Sequence, residues 1–130
     1  MMKVLLDTNI YSLAMRGDIE VVHSLKSIDT IGFSVISIGE LFSGFRGGKN
    51  EARNRQELAE FLDSPRVVVH SVDVETADFY SAILDQLKKA GTPIPTNDIW
   101  IAAIGFQHGY KLFTRDRHFD NVPGLVQFHG

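Results

Sequence analysis

Lys3-Val4-Leu5-Leu6-Asp7-Thr8-Asn9 sets a short apolar run directly before an acid and two polar residues. A run this brief that lacks polar alternation suits a strand covered on both faces. Asp7 then stands at the carboxyl end of the first strand. Outward from it, strand-length apolar segments alternate with segments of helical period. A helix is expected over about Asn9–Met15, closed by Gly17 at a left-handed position. Asp18 caps a second helix to about Ser27. Ile31–Ser34 is a second strand. Ser37-Ile38-Gly39-Glu40 has capping-box spacing and is expected to open a helix to Arg46, with Glu40 in its first turn. After Gly47-Gly48, Asn50 is expected to cap a polar helix over Glu51–Leu62, with Leu58, Phe61 and Leu62 on one face.

Pro65 marks a turn, and Arg66–His70 is a β-branched third strand. Asp73–Ala90 is the longest helix. Its expected packed face is Ala77, Tyr80, Ser81, Leu84 and Leu87, and Lys88-Lys89 before Gly91 suit its C-terminal dipole. Pro93 and Pro95 keep the Thr92–Asn97 segment from being helical throughout. Thr96 starts another helix, with Ile99, Ala102, Ala103 and Phe106 on a stripe and Gly109 at its end. Lys111–Thr114 is a fourth strand. An irregular Arg115–Pro123 segment and a last short strand near Leu125–Phe128 follow. Such alternation predicts an α/β fold of three layers, α/β/α, with a short, mainly parallel central sheet flanked by helices. Ligands of these sheets bind beyond the carboxyl ends of the strands.

The 130 residues, 44% hydrophobic and 22% charged, are expected to form one domain over 1–130 with enough buried surface to need no staple. The absence of cysteine excludes disulfides and thiolate metal sites. No secretory h-region and no stretch of ~20 apolar residues is present, so a cytoplasmic protein with no membrane partner is expected. The net charge of −3 stands against the basic surplus usual in nucleic-acid binders. If four of the 16 acids ligate metal, however, 13 bases face 12 acids, a balance of +1.

Asp7, Glu40, Asp98 and Asp116 are those four acids. Asp7 and Asp116 follow strands one and four, while Glu40 and Asp98 open helices, so the topology directs all four to one sheet edge. Each also has a local reading as a cap, a capping-box partner, a dipole partner or a turn residue. Together they repel unless a cation lies among them, and oxygen ligands without cysteine or clustered histidine select Mg²⁺ or Mn²⁺.

Leu5-Leu6-Asp7-Thr8-Asn9, Ser37-Ile38-Gly39-Glu40-Leu41, Asn97-Asp98-Ile99-Trp100-Ile101-Ala102-Ala103 and Thr114-Arg115-Asp116-Arg117-His118-Phe119 resemble the successive motifs of PIN domains. The likeness is strongest to VapC toxins, down to Val122-Pro123-Gly124, and spans essentially the whole chain. It implies an Mg²⁺- or Mn²⁺-dependent endoribonuclease in which Asp7, Glu40, Asp98 and Asp116 are catalytic metal ligands. It also implies that Asn9 orders the site and that Thr114 stands beside the last acid. Asp120 is an outer candidate, placed where some relatives carry another acid. A homodimer and a VapB-like antitoxin that inserts a basic side chain into the acidic site follow from the same resemblance.

Arg46, Lys49, Arg53 and Arg55 form a candidate RNA-binding patch, with the opposing reading of a solvated face paired to Glu51 and Glu57. Arg115, Arg117 and His118 flank Asp116 and are candidates for RNA contact. Trp100 is either a base-stacking platform or a packing residue. His23, His70, His108 and His129 are scattered without metal-ligand spacing. Leu41, Phe42 and Phe45 offer either an antitoxin groove or ordinary core. A haloacid-dehalogenase-like phosphatase needs a second aspartate where Asn9 stands, and a receiver domain needs an acidic pair near the N-terminus. The remaining alternative is a non-catalytic PIN-like RNA-binding or scaffold module.

Overall fold

The computed structural model describes residues 1–130. Four strands, β1 (Lys3–Leu6), β2 (Thr30–Ser34), β3 (Val67–His70) and β4 (Lys111–Phe113), make one sheet in the order β3-β2-β1-β4. All three pairings are parallel, so the sheet is wholly rather than mainly so. The chain steps outward from β1 through β2 to β3, then returns to lay β4 on the other side of β1. The strand order therefore reverses between β1 and β4, which opens a crevice beyond their carboxyl ends.

β1 shows how the layers form. Val4, Leu5 and Leu6 are all fully buried. Val4 and Leu6 join one apolar cluster with Ile10, Val21, Phe33 and Leu58, while Leu5 joins another with Ile83, Leu87, Ile101 and Ile104. The two-residue period of a strand thus feeds two cores, one on each face. The first core lies under α1 (Thr8–Met15), α2 (Ile19–Leu25), α3 (Val35–Phe45) and α4 (Glu51–Leu62). The second lies under α5 (Val74–Ala90) and α6 (Thr96–His108). Each buried Val or Leu contributes roughly 1.5–3 kcal/mol. The strand carrying Asp7 is thereby held from both sides.

Several local expectations change. Helix α3 begins directly after β2, with Ser34 as its cap, whose hydroxyl accepts from the Ile36 N–H at 2.9 Å. Ser37 and Glu40 therefore do not form a capping box, and Glu40 lies in the second turn, not the first. A strand that runs into a helix without a loop uses its own last residue as the cap. Asn50 precedes α4 without a side-chain cap bond. The box that does form is at α5, where Asp73 Oδ1 accepts from Thr76 N–H and Thr76 Oγ1 accepts from Asp73 N–H, each at 3.0 Å. Thr76, Ile83 and Leu87 are the buried residues of α5, whereas Ala77 and Ser81 are exposed. The helix turns its bulkier residues inward.

Helix α6 has no narrow stripe. Ile99, Ile101, Ala102, Ala103, Ile104 and Gly105 are all buried, as in a helix covered nearly all round, and Phe106 is only half-buried. The segment Leu125–Phe128 is not a strand. It makes a single parallel bridge, Leu112 to Gln127, which ends because Leu112 alone exchanges backbone bonds with Val126 and Phe128. Within Arg115–Pro123, residues Arg117–Asn121 form a 3-10 helix. No helix is long and apolar enough to cross a membrane.

Candidate active site

Asp7, Glu40, Asp98 and Asp116 all line one crevice of about 600 Å³, together with Thr8, Asn9, Asn97 and His118. Asp7 leaves β1 as the cap of α1. Its Oδ1 accepts from the Thr8 N–H at 2.8 Å, and its Oδ2 accepts from the Thr114 hydroxyl at 2.8 Å. It is 4% exposed. Burial is the main cause that pushes its carboxyl up to about 6; the two hydrogen bonds oppose the rise, and Asp98 and Asp116 add repulsion.

Asp98 stands in the first turn of α6. Burial raises its carboxyl above the ordinary range, a hydrogen bond from His118 opposes this, and repulsion from Asp116 and Glu40 adds to it. Asp116 caps the 3-10 helix, with its Oδ1 accepting from the His118 N–H at 2.9 Å. Its own N–H donates to Thr114 Oγ1 at 2.9 Å. The Thr114 side chain therefore joins Asp7 to Asp116 across the gap between β1 and β4. Glu40 reaches over from α3, with Oε1 2.6 Å from Thr8 Oγ1 and Oε2 3.5 Å from Asn97 Nδ2.

The donor set suits a hard divalent cation. Four carboxylates share the crevice, no lysine or arginine lines it, and the two most enclosed acids are both pushed toward their neutral forms. A divalent ion among them would offset both their burial and their mutual repulsion, and all the acidic donors are oxygens.

The other expected residues divide. Asn9 lines the crevice and is exposed. Asp120 lies outside it, with Oδ1 accepting from Gln127 Nε2 at 2.8 Å. Arg115 is drawn away to Asp18 at 3.2 Å and Glu20 at 3.3 Å. Arg53 pairs with Glu57 at 3.9 Å. Arg55 pairs with Glu51 at 3.5 Å and lies 4.1 Å from the centre of the Phe42 ring. Arg46, Lys49 and Arg117 have no carboxylate partner. Trp100 stacks on Tyr80 with centroids 4.0 Å apart and does not line the crevice. His70 and His108, distant in sequence, stack 4.0 Å apart, and His70 Nε2 lies 2.6 Å from the Tyr110 hydroxyl.

Thr8 and Asn97 lay within the quoted motifs, yet sequence reasoning gave them no role. Their signal is adjacency to an acid, but the acid each one touches, Glu40, is brought up by another helix. His118 also sits more centrally than expected, with Nδ1 3.1 Å from both Asp98 Oδ2 and Asp116 Oδ1.

Proteins of known kind share this architecture. The chain is 32% identical over 133 residues to plasmid stability protein StbB from Pseudomonas syringae pv. tomato, with 94% of each covered. It is 30% identical over 126 residues to ribonuclease VapC1 from Haemophilus influenzae, covering 93% of this chain and 92% of the other. The crystal structure of VapBC2 from Rickettsia felis, bound to a DNA fragment from their promoter, contains a chain that superposes with a TM-score of 0.85 at 26% identity, over 98% of both chains. The PIN domain family model matches residues 4–125, a span that holds all four crevice acids, and the chain belongs to the PIN-domain family.

Proposed function

We propose that this chain is a metal-dependent endoribonuclease, the toxin of a type II, VapBC-like toxin–antitoxin pair acting in the cytoplasm. The convergence of Asp7, Glu40, Asp98 and Asp116 on one crevice without a cation of the chain's own carries this reading. Those four residues would hold Mg²⁺ or Mn²⁺. When bound, such an ion makes water more acidic and offsets charge that builds on a scissile phosphate. Asp7 is held by Thr8 and Thr114, so its carboxylate is oriented before any ligand arrives. Thr8 fixes Glu40 in the same way. Of the candidate RNA-binding cations, Arg46, next to the crevice-lining Phe45, and Lys49 and Arg117 are free to meet RNA phosphates.

The partners are an RNA substrate, a VapB-like antitoxin and a second copy of the chain in a homodimer. Leu41 and Phe45 line both the crevice and an adjoining groove of about 240 Å³ with Tyr11 and Met15. An apolar antitoxin segment seated in that groove reaches the acids with its next basic side chain. The test is cleavage of total RNA by purified protein in Mg²⁺ or Mn²⁺, in chelator, and by a folded Asp98→Asn variant, with the new ends mapped. Cleavage that needs metal and Asp98 is expected. RNA that is bound but left whole returns the chain to a non-catalytic RNA-binding or scaffold role.

A further inference from the structure

His118 is the one histidine that lines the crevice. Its side chain is about half exposed, at 49%, so core packing does not dictate where the ring lies. The 3-10 turn does. The His118 backbone N–H is bonded to Asp116 Oδ1, and the ring is thereby carried toward α6. Nδ1 comes to rest 3.1 Å from Asp98 Oδ2 and 3.1 Å from Asp116 Oδ1. A single N–H has one proton and serves two oxygens on different residues poorly. A cation facing the three atoms would engage a lone pair on each.

The spacing agrees with this. Adjacent ligand atoms of an octahedral ion with bonds of roughly 2.1 Å lie about 3 Å apart. The Asp98, Asp116 and His118 ligand atoms all lie within 4.8 Å of one another. Resting on the reading of the crevice as a divalent-metal centre, we propose that His118 Nδ1 is itself a ligand. With Asp98 and Asp116 it completes a mixed nitrogen–oxygen face that selects Mn²⁺ over Mg²⁺. Both ions suit carboxylate oxygens, but Mn²⁺ belongs to the first-row series that also takes nitrogen ligands, whereas Mg²⁺ keeps to carboxylate and water oxygens, so one nitrogen in the donor set shifts the balance between these two.

The experiment is pulsed electron paramagnetic resonance on purified wild-type protein with Mn²⁺ alone. The expected result is nitrogen modulation of the Mn²⁺ echo that moves to the heavier isotope's frequencies in protein labelled with ¹⁵N-histidine. This arm needs no variant. In calorimetry, a folded His118→Ala variant is expected to lose about ten-fold in Mn²⁺ affinity and to keep Mg²⁺ affinity within about two-fold. Mn²⁺ bound without histidine coupling overturns the ligand assignment and leaves the carboxylate centre standing. Equal losses for the two ions overturn the selectivity. Wild-type protein that binds neither ion overturns the metal centre and this inference together, and Mg²⁺ binding without Mn²⁺ overturns this inference alone.

Discussion

The hydroxyl of Thr8 lies 2.6 Å from Oε1 of Glu40, so the first residue of α1 fixes a carboxylate carried by α3. Thr8 Oγ1 is also 2.8 Å from Ser37 Oγ. One hydroxyl has one proton, and the carboxylate is the stronger acceptor, so Ser37 donates to Thr8 and Thr8 to Glu40. Thr8→Val keeps the shape and removes this chain of bonds. Metal affinity and RNA cleavage are expected to fall about 10- to 100-fold, and Thr8→Ser is expected to restore most of both. Calorimetry beside a cleavage assay checks this, and unchanged values would detach Thr8 from the site.

Asp7 carries a stability cost that the sequence alone does not reveal. Burial pushes its carboxyl up to about 6 in the fold, against an ordinary 3.8. Between those values the folded chain keeps a proton that the unfolded chain has released. Stability contributed at acid pH is therefore lost as pH rises through this window. At neutral pH the metal-free protein bears a penalty on the order of 2–3 kcal/mol. Asp7→Asn is expected to abolish cleavage and to be more stable than wild type at neutral pH by about that amount. Urea unfolding of both proteins in chelator on either side of the window measures it. Parallel pH profiles would show that burial does not burden Asp7.

RNA contact is expected to follow the unpaired cations. Arg53 and Arg55 are engaged with Glu57 and Glu51, while Arg46 and Lys49 face no acid. Arg46→Ala with Lys49→Ala is expected to flatten the slope of log affinity against log salt by about 1.4, near 0.7 per lost phosphate contact on a single strand. Arg53→Ala with Arg55→Ala is expected to change it by less than half as much. Filter binding across a salt series distinguishes the pairs, and the reverse ranking would move the RNA path onto α4.

Gly32 is a packing requirement of the sheet. A Cβ there would lie 2.7 Å from Cζ of Tyr110. The ring has little room to retreat, since its hydroxyl bonds His70 and Lys3 Nζ lies 4.7 Å above its face. Gly32→Ala is expected to destabilise the fold by about 1–3 kcal/mol, with much of the loss recovered when Tyr110→Leu is added. Denaturant midpoints of the single and double variants decide it. A neutral Gly32→Ala would mean that the ring yields freely.

The features visible in the sequence were those that local chemistry decides. Val4-Leu5-Leu6 before Asp7 declared a buried strand and its exit, and Pro95 with Thr96 declared the start of α6, because burial pattern and backbone restriction act within a few residues. Asp7, Asp98 and Asp116 were legible because each lies at a strand or helix terminus, whereas Glu40, in the middle of α3, was legible through its motif. What escaped was set by contacts between elements. Ser37 looked like a cap, but β2 ran on without a loop and gave that duty to Ser34. The expected face of α5 took Ala77 and Ser81 and left out Thr76 and Ile83, which fit a helical period with Leu87 equally well, and only docking on α6 chose between them. Arg115 beside Asp116 suggested a substrate role until Asp18 and Glu20, nearly a hundred residues away, claimed it.

Helix α6 is enclosed along most of its length, from Ile99 to Gly105. Its first turn presents Asp98, so that carboxylate stands on a plinth that cannot tilt unless the hydrophobic interior beneath α5 is torn open. A ligand that answers the negative charge of the crevice meets Asp98 already in place and has no helix to reshape on arrival.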